Sequence, residues 1–527
     1  MTMARVLIAD KMSERVVEVF RDRGVEADVL TGLDEAELVK RIGAYDGLAV
    51  RSATKVTAPV LAQGTGLKVV GRAGIGVDNI DVAAATQHGV VVMNTPGGNT
   101  ITTAEHTLAL LFALARRIPA ADRSTQSGKW EKSRFMGVEL TGKVLGIIGC
   151  GNIGAVVAER ALGLRMRVVA YDPYLSEDRA RDLGVEPVAL DELLARADFI
   201  TLHVPLTDQT RGIIDAEALA KTKQGVRVIN CARGGLVVED DLKAAIESGQ
   251  VAGAALDVFM EEPARDNSLF GMEQVVATPH LGASTTEAQE KVAVQIAEQM
   301  SDFLLTGAIS NALNMPSLSA EESHRLGPYM TLAQQLGSFA GQLTRSGLKN
   351  MWVEYEGQLA EYNCKPLTQA ALAALLTPML DSVNMVNAEF LAKERGIDVA
   401  ETKHERDCDY QSLMRLTVTT ENGPRGVAGT LFGHAKPRLV EIKGISVEAE
   451  LGPHMLYITN EDKPGLIGAL GKTLGDAGVN IATFHLGRTA PGADAIALLE
   501  VDEEIEPDVL ARVRKLDLIT QAEALRF

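Results

Sequence analysis

The sequence predicts an α/β protein built on parallel sheets flanked by helices, followed by two smaller α+β modules. Three observations predict it. Short strand-like runs alternate with helix-like ones from Val6 onward, the pattern of a sheet covered on both faces. A buried apolar run enters a glycine-rich turn and a helix in mid-chain, at Val144-Leu-Gly-Ile-Ile-Gly149-Cys-Gly151-Asn-Ile-Gly154. The last part, from about Gly452, compresses into a β-α-β-β-α pattern.

In chain order, Val6–Asp10 reads as a strand before an amphipathic segment over Ser13–Arg23, and further strands follow at Gly47–Arg51, Leu67–Gly71 and Gly89–Met93. A helical pattern over Thr103–Ala115 leads to the glycine-rich turn. Strands then recur at Val168–Asp172, Phe199–His203, Val226–Asn230, Gly253–Asp257 and Val275–Thr278, all ending in polar residues. In open α/β sheets the ligand crevice lies outside the carboxyl ends of the strands, so chemistry is expected at those polar ends. Gln289–Leu305 reads as a long amphipathic helix, and Asn311–Pro316 as an exit into a new module. That module begins with helical segments and becomes β-rich from Arg415 to about Glu450, with turns expected at Gly423-Pro424 and Lys436-Pro437.

A length of 527 residues fits three or four domains, and 46% apolar residues suffice for several cores. A net charge of −18 leaves no basic surplus to displace counterions from phosphates, so a nucleic-acid partner is not expected. The N-terminus lacks the pattern of a signal peptide and the apolar runs are short, so neither export nor a membrane span is expected. Cys150, Cys231, Cys364 and Cys408 are scattered without metal-ligand spacing and read as reduced thiols, with no metal site.

The mid-chain turn carries the first chemistry. Gly149 makes a tight turn, Gly151 admits a pyrophosphate to the backbone, and Gly154 lets helix and strand pack closely. The helix N-terminus offers unpaired N–H groups to phosphates, and Asp172, at the end of the next strand, can bond ribose hydroxyls. This is a dinucleotide-binding arrangement, and the charge of Asp172 favours NAD over a 2′-phosphorylated cofactor.

Three polar residues follow at successive strand ends: Arg233 in Asn230–Gly235, Glu262 in Asp257–Pro263 and His280 in Thr278–Ser284. Moving a hydride from a secondary alcohol needs a base for the hydroxyl proton and a cation for the substrate carboxylate. A neutral imidazole serves as base. A neighbouring carboxylate orients it, and arginine's planar fork grips a carboxylate. Singly, each has a plainer reading: a cap, a solvated turn residue, a surface ion pair. In the first lobe Arg51 and Ser52 offer a charged fork and a hydroxyl to an anion, and Asn99 a neutral donor. Arg72–Asp78 forms either an anion nest around Gly74 and Gly76 or a structural glycine turn. Lys129, Lys132 and Arg134, around Trp130, either bring charge to the cleft mouth or form a solvated turn. His106 reads as a packing histidine.

Val144–Gly154 with Asp172, Asn230–Gly235, Leu256–Pro263 and Thr278–Ser284 together resemble the D-isomer-specific 2-hydroxyacid dehydrogenases, over essentially the whole chain. The likeness is closest to the long forms that oxidise 3-phosphoglycerate to 3-phosphohydroxypyruvate at the entry to serine biosynthesis. It implies two Rossmann/flavodoxin-like lobes, with an NAD-binding lobe (99–282) inserted in a substrate lobe (1–98 and 283–315). It implies Arg233, Glu262 and His280 as substrate clamp, orienting carboxylate and acid/base. Substrate contacts fall on Arg51, Ser52, Gly76, Asn99, Arg233 and His280. Cofactor contacts fall on Gly149, Gly151, Asn152, Ile153, Gly154, Asp172, His203, Pro205, Cys231, Arg233, Asp257, His280 and Gly282. An intervening regulatory-type domain (316–451) follows; its basic residues Lys436, Arg438 and Lys443 are too sparse to assign an anion site.

Residues 452–527 resemble an ACT domain, a ferredoxin-like βαββαβ-type sensor of small ligands. Asn460, Asp462, Pro464 and Asn480 match its ligand side, where Asp462 and Asn480 are expected close together to take L-serine; the same Asp-Lys-Pro-Gly run also reads as a plain helix start. The resemblance further implies a homo-oligomer, dimer or tetramer, and the scattered thiols suit a cytoplasmic setting. Alternatives are a glyoxylate or hydroxypyruvate reductase and a dinucleotide-sensing corepressor on the same scaffold.

Overall fold

The computed structural model describes residues 3–527 apart from 319, 381, 405–408 and 434, so Cys408 lies outside the described residues. Its first sheet has five parallel strands in the order Glu26–Val29, Arg5–Ile8, Gly47–Val50, Val69–Arg72 and Val91–Met93. The central strands are buried on both faces, as their unbroken apolar runs require. One face is covered by Phe20 and by Val292, Ile296 and Met300 of the helix Thr286–Thr306. The other is covered by Leu38, Val60, Leu61 and Ala84.

The second sheet has seven parallel strands: Val275–Ala277, Val251–Leu256, Val226–Asn230, Phe199–Leu202, Val144–Ile148, Arg167–Tyr171 and Glu186–Pro187. The strand order reverses between Val144–Ile148 and Phe199–Leu202, which makes a crevice at their carboxyl ends. Two helices join the lobes. Thr100–Ala115 leaves the first sheet and packs Leu110 and Leu111 against Leu145 of the second. Thr286–Thr306 returns, capped at its start by the Thr285 hydroxyl, which accepts from the Ala288 N–H at 3.2 Å, and ended by Gly307 at φ 73°. Val92 N–H then donates to Asn314 Oδ1 at 2.9 Å, and Asn94 N–H to the Asn311 carbonyl at 3.2 Å, tying the returning chain to the first sheet. The second lobe is therefore inserted in the first.

The next sheet corrects the sequence reading. Its order is Asp398–His404, Leu348–Gly357, Ser412–Thr420, Gly423–Phe432, Lys436–Ile442 and Ile445–Ala449, antiparallel except for the first pair. Strands Leu348–Gly357 and Asp398–His404 were not expected among helical segments, although buried Met351, Val353 and Tyr355 alternate with less buried Trp352 and Glu354. Gly423-Pro424 and Lys436-Pro437 open strands rather than forming turns, positions where proline is tolerated.

The last sheet is antiparallel, in the order Ile481–Arg488, Asp494–Val501, His454–Glu461 and Ile519–Arg526. Helices Leu466–Gly475 and Pro507–Arg514 cover one face through Leu470, Leu474 and Val513. The other face places Met455, Tyr457, Ile496 and Leu498 in a core shared with Phe339 and Leu336 of the preceding module. Phe339 meets Tyr457 edge to face at 5.6 Å.

Candidate active site

Three turns at neighbouring strand ends carry the predicted triad. After Val226–Asn230, the Asn230 side chain donates to the Arg233 carbonyl at 2.9 Å and accepts from the Ala232 N–H at 3.0 Å, which fixes the Arg233 turn. A Cβ on Gly234 would lie 1.8 Å from the Phe259 carbonyl oxygen, so only glycine lets this turn press on the one that bears Glu262. Glu262 accepts from the Phe259 N–H at 3.1 Å and pairs with His280 Nδ1 at 2.7 Å.

That pair sets the electrostatics. Burial pushes the Glu262 carboxyl up, but the His280 hydrogen bond and the Phe259 N–H outweigh it and hold the carboxyl below its ordinary range. The same Glu262 bond raises His280 against the opposing effect of burial. With Nδ1 donating to the carboxylate, the neutral imidazole leaves its Nε2 lone pair free to take a proton. His280 sits in the left-handed region at φ 56° and its side chain is 48% exposed, so it is both held and accessible.

Across the cleft, the first lobe contributes cations. Arg233 bonds Asp78 at 3.2 Å, and a Cβ on Gly76 would overlap its guanidinium at 1.9 Å, so Gly76 is where that side chain lies against the first lobe. Buried Asp10 accepts from the Arg51 N–H at 2.6 Å and from the Thr54 hydroxyl at 2.7 Å, which shapes the Arg51–Ser52 loop. Arg72 Nε donates to Asn79 Oδ1 at 2.9 Å and to the Arg51 carbonyl at 3.3 Å. Burial, then the nearby Arg233, pushes Arg72 down to about 10, and it remains charged near neutrality. The sequence points to the backbone of the Arg72–Asp78 loop, not to the side chains of Arg72 and Asp78, and not to Asp10. Asp10 was findable, since it ends a predicted strand as the triad residues do.

The crevice fits a dinucleotide. Gly149 takes φ 92°, and a Cβ there would meet the His203 backbone at 2.8 Å, whereas a Cβ on Gly151 would meet nothing within 4 Å. Gly151, Asn152 and Ile153 thus open to solvent at the start of Asn152–Gly163, with Gly154 buried beneath; its Cβ would lie 2.1 Å from the Gly149 carbonyl oxygen. Asp172 accepts from the Cys150 and Tyr174 N–H groups, both at 2.8 Å, which leaves acceptor capacity for ribose hydroxyls. His203 Nδ1 is buried without a partner, and burial pushes the ring down to about 4, so it is neutral. Pro205 is exposed beside it. Asn99 Oδ1 is likewise buried without a partner, at the start of Thr100–Ala115.

Burial and hydrogen bonds narrow the reading of several predicted residues. The Cys231 thiol belongs to the core, pushed up to about 12 by burial, so only its backbone can face a cofactor. Asp257 has no exposed surface, and Gly282 is buried with its N–H donated to Asp257 at 2.8 Å; both shape the His280 turn. In the last module Asp462 accepts from Arg488 at 2.7 Å and Gly492 N–H at 3.1 Å, while Asn480 donates to Asp502 at 2.7 Å. Asp462 and Asn480 therefore each hydrogen-bond to other partners rather than to each other. Asn460 is 3% exposed and bonds the Glu461 carbonyl, with Pro464 exposed two residues past Asp462. Lys129, Lys132 and Trp130 lie on the surface, and Arg134 pairs with Glu131 and Glu273.

Residues 108–282 match the D-isomer specific 2-hydroxyacid dehydrogenase NAD binding domain, 325–443 the D-3-phosphoglycerate dehydrogenase intervening domain, and 454–518 the ACT domain. A D-3-phosphoglycerate dehydrogenase of Synechocystis is 43% identical over 100% of this chain and 95% of its own. A solved glyoxylate reductase from Paecilomyes thermophila covers 59% of this chain and 99% of its own, at 28% identity and TM-score 0.56. The D-lactate dehydrogenase of Aquifex aeolicus, solved with NAD and lactic acid, covers 59% of this chain and 100% of its own, at 26% identity and TM-score 0.52.

Proposed function

The chain belongs to the D-isomer-specific 2-hydroxyacid dehydrogenases, as an NAD-dependent enzyme of the D-3-phosphoglycerate dehydrogenase type, and from that membership we propose that it oxidises D-3-phosphoglycerate to 3-phosphohydroxypyruvate, the first step of L-serine biosynthesis. The observation that carries the reading is the His280–Glu262 pair with Arg233 beside it, whose guanidinium reaches Asp78 of the first lobe next to Arg72.

Arg233 exchanges Asp78 for the substrate carboxylate and the reacting oxygen, a planar fork suited to both. Arg51 and Ser52, with Arg72 behind them, take the phosphate. His280 Nε2 removes the hydroxyl proton, and ionised Glu262 stabilises the imidazolium that results. Bound NAD would supply the acceptor for the hydride that leaves the alcohol carbon. Gly151, Asn152, Ile153 and Asp172 would hold the dinucleotide, with His203 and Pro205 beside it, and the charge of Asp172 favours NAD over NADP. In the reverse direction the imidazolium returns its proton to the carbonyl oxygen.

The ACT module supports feedback by L-serine, with a site completed between subunits because Asp462 and Asn480 are satisfied separately within one. Trp130 and Met136, each 79% exposed, support a homo-oligomer, since such side chains gain by leaving water. No helix among the described residues is long and apolar enough to cross a membrane, and a cytoplasmic setting suits the substrate.

Steady-state NADH formation tests the activity. Turnover of 3-phosphoglycerate at alkaline pH is expected; strong glyoxylate reduction with none on the phosphorylated acid would replace this reading with the reductase. Binding of NADH with turnover of neither acid would favour the corepressor.

A further inference from the structure

We propose that His106 is a positioning residue for the acid/base step, acting on His280 through Asp257 and Thr278. The proposal rests on the reading of His280 as proton acceptor.

His280 holds a left-handed backbone, φ 56°, which a non-glycine residue keeps only when its surroundings impose it. Three successive amides do so on one residue. His280 N–H donates to the Asp257 carbonyl at 2.8 Å, Leu281 N–H to Asp257 Oδ1 at 2.7 Å, and Gly282 N–H to Oδ2 at 2.8 Å. Asp257 is thus the template of the turn, yet its side chain has no exposed surface. A carboxylate so placed stays ionised only if donors surround it. Two side chains complete the set: the Thr278 hydroxyl donates to Oδ1 at 2.6 Å, and His106 Nε2 lies 3.2 Å from Oδ1 and 3.2 Å from the Thr278 hydroxyl. Burial pushes the Asp257 carboxyl up, and the His106 and Thr278 hydrogen bonds and the Leu281 N–H bring it below its ordinary range.

Among the described residues, His106 is the one side chain that joins this network from outside the strand ends themselves. It belongs to Thr100–Ala115, the helix that joins the lobes. One turn earlier on the same helix, the Thr103 hydroxyl donates to the Gly282 carbonyl at 2.9 Å. The helix therefore grips the turn at both ends, and an imidazole protonated on Nε2 donates to the Thr278 hydroxyl, which in turn donates to Asp257, with Nε2 itself 3.2 Å from that carboxylate. Loss of that donor loosens the Thr278–Asp257 contact and lets His280 drift from its working geometry, while the surfaces that bind substrate and cofactor stay in place.

The test compares His106→Leu, which keeps bulk without a donor, with His106→Gln, whose amide nitrogen stands where Nε2 does. For His106→Leu the expected result is a kcat lower by about 10- to 100-fold, with KM for 3-phosphoglycerate and Kd for NADH, read by fluorescence, within about twofold of wild type. His106→Gln recovers most of the lost kcat. Wild-type kcat in His106→Leu overturns the proposal, as does equal loss in both variants, or a loss that falls on NADH binding. If His106→Leu does not fold, His106→Asn replaces it: its shorter amide cannot reach Asp257, so it loses kcat where Gln keeps it, and equal rates for the two overturn the proposal. His280→Ala serves as the control. Wild-type turnover there removes the acid/base reading itself, whereas an inactive His280→Ala beside a fully active His106→Leu removes only the role of His106.

Discussion

The catalytic cleft and the ACT module were read from sequence by the same kind of motif, yet the structure treats them differently. In the cleft, Arg233, Glu262 and His280 follow adjacent parallel strands, Val226–Asn230, Val251–Leu256 and Val275–Ala277, and their side chains converge. In the ACT module, Asp462 and Asn480 flank one helix and satisfy Arg488 and Asp502 instead of each other. A parallel sheet delivers every strand's carboxyl end to the same edge, so polar residues there meet by topology. Loop residues on a small antiparallel sheet have no such constraint and find the nearest partner. On the reading above, the first site is complete in one chain and the second needs another.

The largest expected effect lies in the complete site. His280→Ala should lower kcat by about 100- to 10,000-fold while NADH binding persists, as stopped-flow and fluorescence titration would show. Retained turnover would place the base elsewhere. Arg233→Lys should follow, with kcat/KM down by about 100-fold, because a point charge cannot replace the fork that grips carboxylate and reacting oxygen together. Arg51→Ala should act mainly on KM for 3-phosphoglycerate, raising it about tenfold or more, with a smaller change for an unphosphorylated 2-hydroxy acid. Equal losses on both acids would move the phosphate site away from Arg51. The smallest effect lies in the incomplete site: Asn480→Ala should abolish any response of rate and melting temperature to millimolar L-serine. An unchanged serine response in that variant removes Asn480 from the effector site, and no response in the wild type removes serine.

Much of the architecture could be read in advance where residue pattern and topology agree. Strands buried on both faces announce themselves as unbroken apolar runs, and Val226–Asn230 was placed to the residue. Weakly apolar edge strands were not, among them Glu26–Val29 and Glu186–Pro187, because nothing in their composition separates them from loops. The strand Leu348–Gly357 carries a period-two signal, masked by the helical patterns on either side of it. At the site, residues with free functional groups were legible and their supports were not. Asp10 and Asp257 read as possible ligand contacts or passed unassigned because a sequence does not say whether a carboxylate faces a cleft or the backbone of a turn. His106 read as packing for the same reason: its partners lie 151 and 172 residues away.

The central claim is that His280 accepts the proton and that Glu262 poises it. The most direct measurement is kcat/KM for 3-phosphoglycerate oxidation against pH, in wild type and in Glu262→Gln. Oxidation requires neutral imidazole, and Glu262 raises the His280 pKa. The wild-type rate should therefore rise with pH along a limb placed above the ordinary histidine value of about 6.5. In Glu262→Gln the limb should move to lower pH, because the charge that favours imidazolium is gone, while the plateau falls. Superimposable limbs in the two proteins would contradict the account.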